Sequence, residues 1–585
     1  MSKASRDADE ARTSEDDVAF LEYTPLHTED ADAYGDVEAF AAAYHLADEL
    51  DILRKAAALH RHDGNEDSVD GLSNVELTTL RQETSHRWHQ KPTLWLTILC
   101  CSLGGVSQGF AQTGINGANL FIPEALGVGS GILGLVNCGM YMGQSCGCWL
   151  SQPINDRMGR RGTIWIATLL CLLGNVFSAL SLTWPILLFS RLVLGVGLGI
   201  NASTVGILAA ECSPAYIRGG IAVSWQAFTA FGILLSFCGN ILFSGLKPEV
   251  TWRLQIGSPL TPNIPLLMLI YLCPESPAWH FNAGRYNKAL ESLYRLRNTK
   301  IQAAYELYAN YLARRKAAAR LSTPEFETTT FLTKFKFLFT VPRNRHAVYA
   351  SYTVMISQQL CGINIIAFYS STIFSSSGFS TTAALWASVV FGLINFLGAF
   401  PAVWTMDGFG RRKLLLWTLP AMAVTMASAS LTFGLPSGNT QLVLLAGLIY
   451  LFCALYSPGV GPVPVAYSAE VYPSSVREMG TSFGTFTASS WATVLSVTFP
   501  LLLDSLGEQG SFALYAVLNV VAWVLCWLFV RETKGVELEK MDAVFESSAN
   551  VFIAKMWAER PKLLLCGSRL RQGWKEIRQD DLEEP

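Results

Sequence analysis

Charged side chains interrupt the long apolar stretches of this chain at few places, and they do so in a repeated pattern. Asp156-Arg157-Met158-Gly159-Arg160-Arg161 is matched by Asp407-Gly408-Phe409-Gly410-Arg411-Arg412. Glu211, Pro214 and Arg218 are matched by Glu470, Pro473 and Arg477 at the same spacing. An acid and a guanidinium at such spacing can make reversible ion pairs, which hold or release a conformation without breaking a bond. The offsets, 407 − 156 = 251 and 470 − 211 = 259, are nearly equal. Two unrelated signatures recurring in the same order indicate a duplicated half, the arrangement expected of a secondary transporter with its site between the halves. No nucleophile–base set and no metal-ligating cluster accompanies these charges. The run Gly195-Val196-Gly197-Leu198-Gly199 lies inside an apolar segment, where helix packing explains it better than phosphate binding. No enzymatic activity, no cofactor and no metal are therefore expected.

The elements that must position these residues follow from composition. The chain has 585 residues, 51% hydrophobic and only 15% charged, against about 25% charged in soluble domains. Ala347 to Met406 and Leu414 to Ala469 contain no Asp, Glu, Lys or Arg, and each is long enough for two spans of about 20 residues. Spans are expected at about 94–115, 128–151, 163–182, 185–211, 219–243 and 258–273, then at about 346–374, 383–405, 413–434, 441–467, 479–503 and 511–530. The fold class is an all-α membrane protein, twelve transmembrane helices in two pseudo-symmetric six-helix halves. Its expected parts are an acidic N-terminal tail (1–91), a first six-helix bundle (92–273), a central loop with helices (274–345), a second bundle (346–531) and a charged tail (532–585).

The tails and loops carry segregated charge. Residues 1–91 hold 21 acids and 9 Lys/Arg, a local charge of 9 − 21 = −12, and Pro274–Arg345 hold 13 Lys/Arg and 5 acids, a local charge of +8. The N-terminal tail reads as largely disordered, except for an amphipathic helix over Val37–Leu59 that would pack on the cytosolic face. Val551–Trp557 is an apolar patch in the C-terminal tail, read as a packing surface. The basic loops all fall on one side in a twelve-span count, which places that side and both termini in the cytosol. No cleaved signal peptide is expected, and the thirteen Cys show no disulfide framework. Gly139, Gly143 and Gly147 line one helix face, Gly195, Gly197 and Gly199 thin the fourth span, and Gly480 and Gly484 thin the eleventh, for close helix contact. Pro458, Gly459, Gly461, Pro462 and Pro464 break the tenth span and free carbonyls at mid-membrane.

Together with the repeated patterns, three further segments resemble the sugar porter family of the major facilitator superfamily. They are Pro274-Glu275-Ser276-Pro277, Gln358-Gln359-Leu360-Cys361-Gly362-Ile363-Asn364 and Glu532-Thr533-Lys534-Gly535. The resemblance covers about residues 94–545, and the acidic N-tail with Gly114-Ile115-Asn116-Gly117-Ala118-Asn119 is similar to fungal members. It implies the major facilitator fold and a substrate site built from Gln226, Gln358, Gln359, Asn364 and Asn395. A carboxamide donates and accepts, so it can grip a neutral hydroxyl in two ways. The resemblance also implies a conformational latch at the cytosolic ends: Asp156 with Arg157, Glu211 with Arg218, Glu275, Asp407 with Arg411, and Glu470 with Arg477.

The departures from the family are informative. Two pocket positions of the tenth span, an acid and a Trp in well-known members, fall on Ser457 and Val465, which points away from ordinary glucose. Phe368, Tyr369, Trp386 and Trp491 are candidate replacements for the lost aromatic platform. Where many fungal relatives carry a first-span Asp, this chain reads Gly109-Phe110-Ala111. A proton symporter needs a titratable group near mid-membrane; the C-terminal spans hold no acid, and Glu124 and Arg191 sit toward the outside. The expected function is facilitated diffusion of a monosaccharide, polyol or similar small neutral hydroxylated solute across a lipid bilayer, with the plasma membrane the expected location. An exporter of a fungal secondary metabolite or organic acid, and a nutrient sensor of transporter fold, are the alternatives. Nothing in the chain points to nucleic-acid binding.

Overall fold

The computed structural model describes residues 33–61, 72–85, 88–320, 331–436, 438–473, 476–534, 536, 541–546 and 552. These fall into two compact units, one from residues of 1–86 and 284–320, the other from residues of 87–283 and 321–585. Among the described residues the secondary structure is helical.

The larger unit contains the spans. Among the described residues, eight helices are long and apolar enough to cross a membrane. Two of them, Ser130–Ala179 and Arg477–Phe529, are each two spans joined across a non-helical glycine, Gly159 and Gly507. That makes ten spans, and two more are broken helices. The sixth is Pro248–Gly257 followed by Leu260–Leu269, and the seventh is Pro342–Leu360 followed by Ile363–Ser376. The twelve-span fold is therefore as the apolar periodicity requires.

Small residues set the helix spacing. A Cβ at Gly143 would stand 2.1 Å from the Leu192 carbonyl oxygen, and one at Gly195 would stand 2.0 Å from that of Met140. The second and fourth spans thus touch backbone to backbone, the contact that lipid, as apolar as the side chains, cannot otherwise drive. The tenth span is interrupted between Asn439–Tyr456 and Val463–Glu470, where the proline and glycine run lies.

The two halves meet at both ends of the spans. At the end away from the basic loops, the Asn116 amide donates to the Ala367 carbonyl (2.8 Å) and the Ser370 hydroxyl (3.0 Å), and Asn119 donates to the Phe368 carbonyl (3.2 Å). Asn137 donates to the Tyr369 hydroxyl (2.8 Å), which donates in turn to the Ser496 carbonyl (3.0 Å). The second piece of the seventh span is thereby tied to the first, second and eleventh spans.

The smaller unit differs from the expectation for the acidic tail. Ala33–Ala43, Leu50–Arg61 and Asn74–Ser85 are helices, with a turn where one continuous helix over Val37–Leu59 was expected. The first two pack with the central-loop helices Tyr286–Leu296 and Lys300–Arg320, and Glu76 of the third meets Lys55 (3.8 Å). The contact is aromatic: the buried Phe40 ring lies 4.3 Å from that of Tyr311 and 5.5 Å from that of Tyr286. Around it the acids of the tail meet the bases of the loop, Asp36 with Arg315 (2.8 Å) and Glu49 with Lys300 (3.6 Å). Opposite local charges in the two segments thus have a structural use, although exposed pairs add only ~0–1 kcal/mol each. The patch Val551–Trp557 lies outside the described residues apart from Phe552.

Phe40→Ala is expected to cost ~3–5 kcal/mol in this unit. Limited proteolysis of the full-length protein should then cut Lys300–Arg320 faster than in the wild type, and equal cutting rates would refute the aromatic anchor.

Candidate functional site

The basic end of the spans is organised by two equivalent clusters. Gly159 turns the chain with φ 75°, and the helix that restarts at Arg160 offers its first backbone N–H groups to the Glu275 carboxylate, at 2.9 Å from Arg160 and 3.3 Å from Arg161. A helix N-terminus has unpaired N–H groups and a partial positive charge, so a carboxylate caps it well. The Arg160 guanidinium then forks onto Glu211, with Nε–Oε2 and Nη2–Oε1 both 3.0 Å, and the Ser276 hydroxyl donates to the same carboxylate.

The second half repeats each part. Gly410 turns with φ 91°, Glu532 accepts from the Arg411 N–H (2.9 Å), Arg411 pairs with Glu470 (2.8 Å), and the Thr533 hydroxyl donates to Glu470 (3.0 Å). Glycine is required at both turns. A Cβ at Gly159 would stand 2.5 Å from the Glu275 carboxylate, and one at Gly410 would stand 2.7 Å from that of Glu532.

Two of the expected acids meet arginines that the sequence had not paired with them. Glu211 is held by Arg160, and Glu470 by Arg411. Asp156 and Arg157 have exposed side chains and make no ion pair among the described residues, although the Asp156 carbonyl accepts from the Trp279 ring (3.3 Å). The Arg477 Nε donates to the Tyr472 carbonyl (3.3 Å). The side chains of Arg218 and Asp407 lie outside the described residues. Two partners were missed in the sequence. Glu532 could have been found, because 532 − 275 = 257 matches the other two offsets. Glu478 could not, since it has no counterpart in the first half: it reaches across to Arg160 (3.7 Å) and accepts from Asn155 (3.2 Å). It ties the halves together at this end.

The carboxamides gather around two helix breaks. Gln358 and Gln359 end the first piece of the seventh span, Gly362 turns with φ 89°, and Asn364 begins the second. The Gln358 amide donates to the Gly461 carbonyl (2.9 Å) and the Tyr456 hydroxyl (3.3 Å), inside the break of the tenth span. The Asn364 amide donates to Gln359 Oε1 (2.5 Å). Asn395 is buried and accepts from the Ser457 hydroxyl (3.0 Å). Ser457, which stands where well-known family members carry an acid, thus holds the Asn395 amide. Gln226 is half-buried on the fifth span and makes no hydrogen bond among the described residues. Val465 is 39% exposed. Of the aromatic candidates, Trp386 is exposed, Trp491 donates to the Tyr352 hydroxyl (3.3 Å), and Phe368 and Tyr369 are buried. Tyr456, whose hydroxyl meets the Gln358 amide, was not singled out in the sequence; its only signal was a position one residue before Ser457.

Twelve spans in two half-repeats, with broken helices and carboxamides gathered around the breaks, define a membrane carrier of the major facilitator fold. Residues 128–545 match the family model described as "Sugar (and other) transporter", and the chain belongs to that family. It is a transporter and not an enzyme. It is 29% identical to the myo-inositol transporter FST1 of Gibberella moniliformis over 81% of this chain and 83% of that one. It is 28% identical to the galactose-proton symporter of Escherichia coli over 76% and 94%. Among solved structures, the proton:xylose symporter XylE of E. coli aligns at 26% identity with a TM-score of 0.63, over 77% of this chain and 99% of that one.

Burial raises the Glu275 carboxyl above the ordinary carboxylate range, against the Ser276, Arg161 and Arg160 N–H donors that lower it. A raised folded-state value means that the folded protein holds the proton more tightly than the unfolded chain. The Glu275 contribution is therefore full below the unfolded value and is lost as pH rises through the folded one. Glu275→Gln should remove that slope from a pH series of thermal unfolding in detergent, and an unchanged slope would assign it to another group. Gly159→Ala should lower stability by at least ~1–3 kcal/mol, read by the same unfolding measurement; a wild-type midpoint would refute the requirement.

Proposed function

We propose that this carrier moves a monosaccharide, polyol or similar small hydroxylated solute by alternating access, as facilitated diffusion without proton coupling. Gln226, Gln358, Gln359, Asn364 and Asn395 would hold the solute, with Tyr456 beside them. The observation that carries this proposal is the placement of Gln358 and Asn364 on either side of the seventh-span break, with Gln358 reaching into the tenth-span break. Small rotations of the helix pieces can exchange these internal bonds for bonds to a hydroxyl, at ~1 kcal/mol net each. A few such bonds suffice for millimolar binding.

The uncoupled mode is supported by the absence of Asp and Glu from the interiors of the described spans. The relatives include proton symporters, so the coupling claim is one this chain must meet by itself. The charge clusters would act as the latch: Glu211, Glu275, Arg411 and Glu470 within each half, with Asp156, Arg157, Arg218, Asp407 and Arg477 around them. Glu478 would be the contact that breaks when the basic end opens. The positive-inside rule supports placing that end and both termini in the cytosol, with the plasma membrane as the site of action.

In a yeast lacking its own hexose carriers, Gln358→Ala or Asn364→Ala should raise KM at least several-fold at normal surface expression. Normal uptake kinetics in both variants would sink the pocket assignment. A protonophore at fixed external pH should leave initial uptake unchanged; collapse of uptake would establish coupling instead. Glu478→Gln should alter turnover more than KM, and wild-type turnover would count against its part in the latch.

A further inference from the structure

The fourth span carries a cation that the mechanism above does not use. Arg191 is 2% exposed and among the largest fully buried side chains. It stands seven residues inside the helix Trp184–Cys212, about 10 Å from the end away from the basic loops. No carboxylate lies within ion-pair distance of it among the described residues. Its one polar contact is Nη2 to the Met140 sulfur at 3.8 Å, a weak acceptor, and its Nε–H has no partner. The neighbouring Tyr141 hydroxyl is also buried without a partner.

Arg253 shows how this fold treats an arginine that needs only structure. Its guanidinium donates to the carbonyls of Ala179 (2.9 Å) and Ser181 (2.6 Å) and stacks on Trp252. Arg191 has none of this. An unpaired charge in hydrocarbon is costly, and ionisable groups kept inside spans mark substrate or ion pathways. Two unspent donors side by side, one of them cationic, suit an oxygen anion.

The location joins this pair to the carboxamides. The Tyr141 ring lies 5.1 Å from that of Phe368, one helical turn from Asn364. Tyr369, within electrostatic reach of Arg191, is five residues beyond Asn364, a rise of about 7 Å. That is about the length of an extended six-carbon acid. Tyr369 also belongs to the seal at this end, through Asn137 and Ser496, so opening the seal gives a solute access to Arg191.

We propose that Arg191 and Tyr141 form an anion-binding position that takes the carboxylate of the transported solute. The substrate is then a small polyhydroxy monocarboxylate, such as an aldonic, uronic or cyclitol acid, with its hydroxyls on Gln358 and Asn364. This rests on the carboxamide pocket proposed above and narrows its substrate class. The carboxylate neutralises the buried guanidinium, so that closing the seal over a bound acid is easier than closing it over a neutral polyol.

The test is binding to the full-length protein in detergent, in chloride-free buffer, by thermal shift and tryptophan fluorescence. The probes are D-glucuronate, D-gluconate and quinate against D-glucose and myo-inositol. At least one acid should bind more tightly than its neutral counterparts. Arg191→Gln should weaken that acid at least ~10-fold relative to the neutral solutes, Tyr141→Phe should weaken it several-fold, and Arg191→Lys should keep most of the preference. Acids that bind no better than neutral solutes to the wild type would overturn the proposal, and that comparison stands even if Arg191→Gln does not fold. In that case, neutral polyols that bind and respond to Gln358→Ala leave the carboxamide pocket standing; no binding by any probe removes both. Chloride alone stabilising the wild type, with displacement of glucuronate and loss of the effect in Arg191→Gln, would assign the position to a free halide and overturn the substrate role.

Discussion

Backbone groups exposed inside a hydrocarbon layer must find partners within the protein, and this demand shapes the centre of the molecule. The seventh and tenth spans are both interrupted near mid-membrane, and each interruption releases carbonyls. Gln358 answers the Gly461 carbonyl, and the Asn519 amide answers that of Cys361 (3.0 Å). A helix break in lipid survives only when it is buried in protein or lines a cavity. In the proposed function, structural need and solute recognition converge on the same amides, because a carboxamide that bonds a carbonyl can bond a hydroxyl equally well.

At the basic end the governing interaction is different. Each half builds one compact unit from a glycine turn, a capping carboxylate and an Arg–Glu fork, and does so twice with the same geometry. These clusters hold neighbouring helices within a half and say little about the contact between halves. At this end the charged contact between halves among the described residues is asymmetric and rests on Glu478, with the Trp149 ring 5.4 Å from that of Phe486 beside it. Rigid halves joined by few polar contacts suit a carrier, since a transition between states must break the joint without melting the bundles. The opposite end is sealed by neutral amides and Tyr369, which carry no charge to be desolvated when the seal closes.

The N-terminal segment has a physical reason to fold. Low hydrophobicity and high negative charge predict disorder for it alone. The central-loop helices supply what it lacks: a set of tyrosines around Phe40, and the bases that face Asp36 and Glu49. Each segment is polar by composition, and the core they share exists only once they meet.

The duplication and the twelve apolar segments were legible in the residues, since they depend on composition and order along the chain; the carboxamides were singled out by the family resemblance. The glycine turns at Gly159 and Gly410 could be placed from the repeat alone. Which acid meets which arginine could not. Glu211 lies seven residues before Arg218 in sequence, yet the Arg160 fork reaches it from another span. Ser457 likewise read as a loss until Asn395 was found bonded to it. Hydrogen bonds and ion pairs act over about 3 Å, and helix azimuth and crossing decide which side chains come that close. Sequence determined which groups were available and at what depth along each span; only the packing of the helices decided their partners, and it left Arg191 without a carboxylate among the described residues.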